Sequence, residues 1–278
     1  MKEKIIWHWR AGTLKYALFH KALSIKRSLW DIPRSACDLE LPKLQGPCVI
    51  FGSSPSAVIP TGYNDDWSLI TAGSAQHITD SYGLKKPDMS ILVSTTLLHG
   101  NSTWEVQYNE ASLRALIGKT TGFLIMQEDK FCSEKRRKVR NQLILKALKR
   151  IDFNFDRIKF VPFAYHYKLP AEVLGDLKFY SLSLTVSSGL FAALIAYLSG
   201  ANPIILSGFS FSHNRHAYPD EYFNKPGGRG DQGRGELAGD LAVIEIILKN
   251  GWPFFAAEEQ FSIESGLKLW APRATDVK

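Results

Sequence analysis

Residues 179–214 read FYSLSLTVSSGLFAALIAYLSGANPIILSGFSFSHN, a block without a single Asp, Glu, Lys or Arg. About 20 apolar residues suffice to span a bilayer, so a membrane helix is the first reading to test. It fails on punctuation. Ser187-Ser188-Gly189, Gly200 and Pro203 divide the block into a helix of about 13 residues, a turn and a short strand, Pro203–Ser207. A helix that is apolar nearly all round and feeds a buried strand belongs in the core of an α/β domain. The polar residues of the block fall at the helix start and after the strand, where open α/β sheets bind ligands.

The same alternation extends outward. Apolar runs predict strands at Cys48–Gly52, Trp67–Thr71, Met89–Ser94, Phe123–Met126, Ile158–Val161 and Pro253–Ala256. Helical spacing predicts helices over Ala111–Ile117, Ser133–Arg150 (with Ser133 as N-cap) and Glu236–Lys249. Strands alternating with helices indicate a doubly wound, mostly parallel, Rossmann-like sheet. The 278 residues, 45% of them hydrophobic, suffice for one such domain plus an appendage. The division expected is 47–278 for the α/β domain and 1–46 for an N-terminal basic helix and linker. That helix, Thr13–Leu29, sets Leu14, Ala17, Leu18, Ala22, Ile25 and Leu29 against Lys15, Lys21, Lys26 and Arg27, and Asp31–Gly46 reads as the linker. The glycine-rich stretch Gly227–Gly235 reads as a mobile lid loop.

The net charge is +7, concentrated in Lys2–Arg34 and Lys130–Arg150. Such a balance fits an anionic substrate, an anionic membrane surface or nucleic acid. Helix Ser133–Arg150 carries Lys135, Arg136, Arg137, Lys138, Arg140, Lys146, Lys149 and Arg150, with Val139, Leu143, Leu145 and Leu148 as its inner face. A solvated basic face and a glycolipid or membrane contact both remain open. Nucleic acid is disfavoured because aromatics are not interleaved with the charges. Cys37, Cys48 and Cys132 have neither metal-ligand spacing nor a CxxC. The start, MKEKIIWHWR, lacks a signal-peptide core, so a reducing, cytoplasmic compartment is expected. His99 and His166 are isolated and receive no role.

The loop after the first strand is Gly52-Ser53-Ser54-Pro55-Ser56. Small residues there let backbone N–H groups approach a phosphate or ribose, and the following helix would add its positive end. The loop has no lysine, so it is no P-loop, and it is not GxGxxG. A tight turn with no ligand is the alternative.

Two stretches, CVIFGSSPS (48–56) and VSSGLFAALIAYLSGANPIILSGFSFSHNRHAY (Val186–Tyr218), together resemble the bacterial sialyltransferases of glycosyltransferase family 42. That family has a strand ending in G-N-G-P-S, then T-S-G opening an Ala-rich helix, then a strand ending in S-G-x-D-F and a loop with tyrosines. The resemblance implies a glycosyltransferase A-type variant of the nucleotide-binding fold. It also implies inverting transfer from a CMP-activated sugar (sialic acid or Kdo) to a glycan or glycolipid of surface polysaccharide or lipopolysaccharide. Neither metal nor cofactor is implied. Gly52, Pro55 and Ser56 match the donor loop, Ser53 stands in place of its Asn, and Ser54 completes it. Ser188 and Gly189, with Ser187 before them, match the T-S-G turn, which would hold the nucleotide or the donor carboxylate. Tyr218 matches a tyrosine on the leaving phosphate, Ser212 stands where its partner tyrosine would be, and Ser210 replaces the Asp. Ser94, and Gly73 or Ser74, stand near donor-binding Asn positions. The family's basic histidine lies five residues before an Asp that opens a helix. Here that Asp is Asp240, and Gly235 occupies the histidine position. The base then falls to His216 or His213 in SHNRHAY, with Asp231 or Glu236 as acidic alternatives. Two other readings remain at this point: a pyrophosphokinase-like enzyme on the same scaffold, and a non-catalytic module for anionic surfaces. The expected site of action is the cytoplasm, with peripheral contact at the inner membrane and homo-oligomerisation left open.

Overall fold

Residues 39–98, 112–128, 133–180, 184–211 and 233–272 are described by a computed structural model. The expected N-terminal basic helix, most of the expected lid loop, His99 and residues Ser212–Tyr218 lie outside them.

The strands are β1 (Cys48–Phe51), β2 (Ser68–Ala72), β3 (Met89–Val93), β4 (Thr120–Gln127), β5 (Asn154–Val161), β6 (Ile204–Ser207), β7 (Phe254–Ala256) and β8 (Lys268–Leu269). They form one sheet in the order β5-β4-β3-β2-β1-β6-β7-β8. Every pairing is parallel, so the sheet is all-parallel rather than mostly so. The central strands β1, β2 and β6 are buried at every position, as a sheet covered on both faces demands. The edge strand β5 is exposed or half-buried up to Val161 and carries charge, including Asp156 paired with Lys86 at 2.8 Å. Charges of this kind discourage edge-to-edge pairing.

The helices are α1 (Gln76–Ser81), α2 (Glu134–Arg150), α3 (Tyr165–Leu174), α4 (Ser188–Leu198), α5 (Gly233–Lys249) and α6 (Glu259–Ser265). Helix α4, foreseen in the uncharged block, packs on β1, β2, β3 and β6, with Leu190 through Ala196 all buried. Ser187 caps it, its backbone extended (φ −62, ψ 158) and its Oγ accepting from Leu190 N at 3.3 Å. No helix among the described residues is long and apolar enough to cross a membrane.

Several expectations need correction. No helix follows β1: residues 52–67 run to β2 as turns, because Pro55, Pro60 and Gly62 interrupt any helical run. Helix α5 begins at Gly233 rather than Glu236, so the last residues of the expected lid are helical and Asp240 lies inside the helix instead of opening it. Ser133 has the extended backbone of an N-cap, but its side chain makes no capping hydrogen bond. The buried residues of α2 are Ile144 and Leu148, whereas Val139, Leu143 and Leu145 are exposed. Residues Leu39 and Leu44, in the stretch read as linker, are buried, and Leu44 N donates to Ser199 O at 2.8 Å.

Helix α3 escaped the sequence pattern. It holds Pro170 in its interior and buries Tyr165, His166, Tyr167 and Lys168 together. A buried lysine does not advertise a helix, and here it is kept by Glu172 one turn on, at 3.4 Å, and by the Tyr165 ring.

Candidate active site

The strand order reverses between β1 and β6, the switch point beside whose strand ends open α/β sheets place their ligands. Their last residues, Phe51 and Ser207, pair directly. The next residues are both glycines, and each is required. A Cβ on Gly52 would press on the carbonyl of Gly208. A Cβ on Gly208 (φ +72) would lie 2.7 Å from the Gly52 oxygen and 2.9 Å from Ala57 Cβ. The two backbones therefore cross in contact. Gly52 N donates to Ser207 O at 2.7 Å and Ser54 N to Gly208 O at 3.0 Å.

The Gly52–Ser56 loop is stitched to itself as well. Ser54 and Ser56 share a hydroxyl–hydroxyl bond of 2.8 Å, and Ser56 N donates to Ser54 Oγ at 3.4 Å. With three of its amides engaged and no helix behind it, this loop is a floor rather than a cradle of phosphate-binding N–H groups. The helix N-terminus beside this switch point belongs to α4. Gly189 there abuts Phe209, whose ring would be 2.6 Å from an added Cβ. Ser188 Oγ donates to Gln127 Oε1 at the end of β4, at 3.2 Å. The buried Asp240 of α5 accepts from Ser187 N at 2.8 Å.

The other strand-end positions expected in the site lie along the same edge. Ser94 follows β3, is fully buried, and accepts from Arg140 Nη2 at 3.1 Å. Ser74 follows β2, is buried, and donates to Ser112 O at 3.2 Å. Gly52, Ser53, Ser54, Ser56, Ser74, Ser94, Ser187, Ser188 and Gly189 thus all lie at the carboxyl ends of strands or at the start of α4. Ser212, His213, His216 and Tyr218 lie outside the described residues.

Geometry adds residues that the sequence did not single out. Glu258, just beyond β7, reaches over the end of β6, where its Oε1 accepts from Ser207 Oγ at 3.0 Å and from Gly208 N. Its Oε2 is buried with no hydrogen-bond partner among the described residues. Burial pushes its carboxyl up to about 7, against the opposing pull of the Gly208 and Ser207 hydrogen bonds. Six residues on, near the end of α6, Glu264 accepts from Phe211 N at 2.7 Å. The two carboxylates hold residues 208–211, which lead into SHNRHAY. On the other flank, Glu128 at the end of β4 is buried and paired with Arg137 Nε at 2.7 Å, and burial raises its carboxyl above the ordinary value despite that partner. His166 packs between Phe163 and Phe191, at ring distances of 5.2 and 5.7 Å. Among the described residues no group of three or more His, Cys, Asp or Glu side chains is placed to hold a metal ion.

No family model matches the chain, and no curated protein matches it in sequence. Solved structures do match its backbone. A point variant of the sialyltransferase CST-II in complex with CMP aligns with 82% of this chain and 87% of its own, at a TM-score of 0.51 and 14% identity. The chain shares the fold of that structure. Two further Campylobacter jejuni structures align less closely. CstII with the substrate analogue CMP-3FNeuAc covers 82% of this chain and 87% of its own (TM-score 0.47, 13% identity). The monofunctional alpha-2,3-sialyltransferase Cst-I covers 89% and 84% (TM-score 0.47, 12% identity).

Within this fold, α5 meets the start of α4 through Gly239, where an added Cβ would strike the carbonyl of Thr185. Gly239→Ala should push Asp240 away from the Ser187 amide and cost about 1–3 kcal/mol. Urea unfolding of the variant checks this, and an unchanged midpoint would refute it.

Proposed function

We propose that this chain is a glycosyltransferase of the sialyltransferase type, taking a CMP-activated acidic sugar as donor and a glycan or glycolipid as acceptor. One observation carries the reading. The two stretches that resemble the family are far apart in sequence, yet both pass through the β1–β6 switch point, at Gly52 and Gly208. The fold around them is shared with a sialyltransferase solved in complex with CMP. Ser188 at the α4 N-terminus and the strand-end serines face the requirement of such a donor, a set of hydrogen-bond donors for its charged groups.

The finer chemistry belongs to the same proposal. The acceptor hydroxyl oxygen attacks the anomeric carbon as the bond to the CMP phosphate breaks, and the bonding pair leaves with CMP. A single displacement inverts the centre, and the phosphate leaves without a metal. His216 or His213 takes the hydroxyl proton, and Tyr218 donates to the departing phosphate. The exposed basic surface of α2, with Val139 and Leu143 among its lysines, suits contact with the anionic inner face of a membrane.

Thermal unfolding with CMP, UDP, GDP and NAD, each with and without magnesium, tests the reading. A ligand at 100 times its Kd stabilises by about 2.7 kcal/mol. The expected result is a rise in Tm with CMP alone, unaffected by magnesium. A rise only with another nucleotide and magnesium would replace the reading with a metal-dependent phosphate enzyme. No rise with any ligand would sink it.

A further inference from the structure

Helix α2 presents an outward face that its packing does not explain. Ile144 and Leu148 turn inward, onto a cluster with Leu92, Leu124 and Met126 of β3 and β4. At about 3.6 residues per turn, Val139 and Leu143 fall one turn apart on the side away from them. These two are 53% and 47% exposed. Lys135 and Arg136 lie one turn before Val139, Lys146 one turn after Leu143, and Arg150 one turn beyond that, all of them exposed. The face holds no acid. The helix's one carboxylate, Glu134, stands on another side, where it pairs with Lys138 at 3.1 Å. Among the described residues no carboxylate forms an ion pair with Lys135, Arg136, Lys146 or Arg150. Single exposed aliphatic side chains are ordinary on a surface. An aliphatic pair stacked one turn apart, with four such cations around it, is the pattern of a helix that lies in a membrane interface.

We propose that this face of α2 docks on an anionic lipid bilayer, with Val139 and Leu143 entering the head-group boundary and the four cations meeting lipid phosphates around them. The proposal gives residues to the membrane contact of the reading above, and it rests on that reading for its purpose, a glycolipid acceptor brought to the enzyme. Charge complementarity selects the occupant. The long stems of Lys and Arg let their charged ends stay among head groups while the aliphatic pair sinks deeper. An acidic protein partner would call for aromatic anchors and for charges that set a register. This face has no aromatic side chain and no acid. The lack of aromatics also leaves nucleic-acid bases nothing to stack on. A bilayer asks only for the sign of the charge and for apolar depth. The placement suits an acceptor in the membrane. Arg137, one turn into α2, is held by Glu128 just beyond β4, so the docked helix begins at the carboxyl end of the sheet, where such folds bind their ligands.

Co-sedimentation of the full chain with vesicles tests the proposal. One set is phosphatidylcholine alone, the other phosphatidylcholine and phosphatidylglycerol in equal parts. The wild type should sediment with the mixed vesicles, release as salt is raised, and ignore the neutral ones. The double variant Lys135→Gln, Lys146→Gln should weaken binding to mixed vesicles roughly 30-fold. Leu143→Gln should weaken it about tenfold without changing the charge. The double variant Lys249→Gln, Lys268→Gln removes the same charge from exposed sites outside α2 and should bind as wild type. All the substituted side chains are exposed, so the variants should fold, and melting verifies this. Equal losses in the two lysine pairs would overturn the proposal, as would unchanged binding in Leu143→Gln. Binding left intact in both α2 variants would assign it to Thr13–Leu29 and overturn the proposal too. A preference for duplex DNA over the mixed vesicles would give the face to nucleic acid instead. The rise in Tm with CMP, read without vesicles in the same proteins, should be equal in all of them. Its absence beside intact vesicle binding would bring down the donor reading and leave this surface standing.

Discussion

Replacing Gly208 with alanine should destabilise the protein by about 2–5 kcal/mol and remove CMP binding from whatever still folds. Two separate costs combine. The residue stands at φ +72, where an L side chain is strained by about 1–2 kcal/mol. Its Cβ would also intrude on the Gly52 carbonyl and on Ala57, an overpacking worth about 1–3 kcal/mol, with backbone on one side that cannot rotate away. Gly251 supplies the control. It too has a positive φ, +61, but nothing lies within 4 Å of an added Cβ. Gly251→Ala should therefore show the conformational part alone and leave nucleotide binding intact. Urea unfolding and CMP titration of both variants measure the difference. Equal losses in the two would mean that the Gly52–Gly208 crossing is not what the switch point requires.

The sheet was legible in the sequence because its strands are short apolar runs between turn residues, and parallel strands buried on both faces need little else. The uncharged block gave β6 and α4 together with their order, and the SSG turn located the start of α4 to within a residue. Helix α3 was not legible, because Tyr165, His166 and Lys168 are buried without forming an apolar stripe and Pro170 argues against a helix. Tertiary packing overrides propensity there. The strand-end serines were singled out through the family resemblance, at positions that close or follow apolar runs. The carboxylates were not, since nothing local marks Glu258 as the partner of Gly208, 50 residues earlier. Arg137 and Arg140 were hidden among eight similar charges in α2. One signal could have separated them: they share a helical line with Ile144 and Leu148, the two buried residues of that helix.

Glu258 yields the second large effect, and its sign depends on pH. The carboxyl moves from an ordinary 4.5 to about 7 in the folded protein, chiefly through burial. Between those values the native state holds a proton that the unfolded chain has released. Stability therefore falls as pH rises through that window and stays level above it. The shift corresponds to about 3 kcal/mol lost by pH 8. The physical origin is visible in the contacts. Oε1 has Ser207 and Gly208 as donors, but Oε2 is buried with no hydrogen-bond partner among the described residues, so the ionised form is only partly compensated. Glu258→Gln keeps the acceptor for Gly208 N and removes the ionisation. The variant should melt several degrees above wild type at pH 8 and match it near pH 4.5. Because the same carboxylate fixes the turn that crosses Gly52, the gain at pH 8 should come with unchanged CMP affinity. A Glu258→Gln advantage of equal size at both pH values would show that the carboxyl does not titrate in the fold, while lost CMP affinity would show that the charge itself positions the turn.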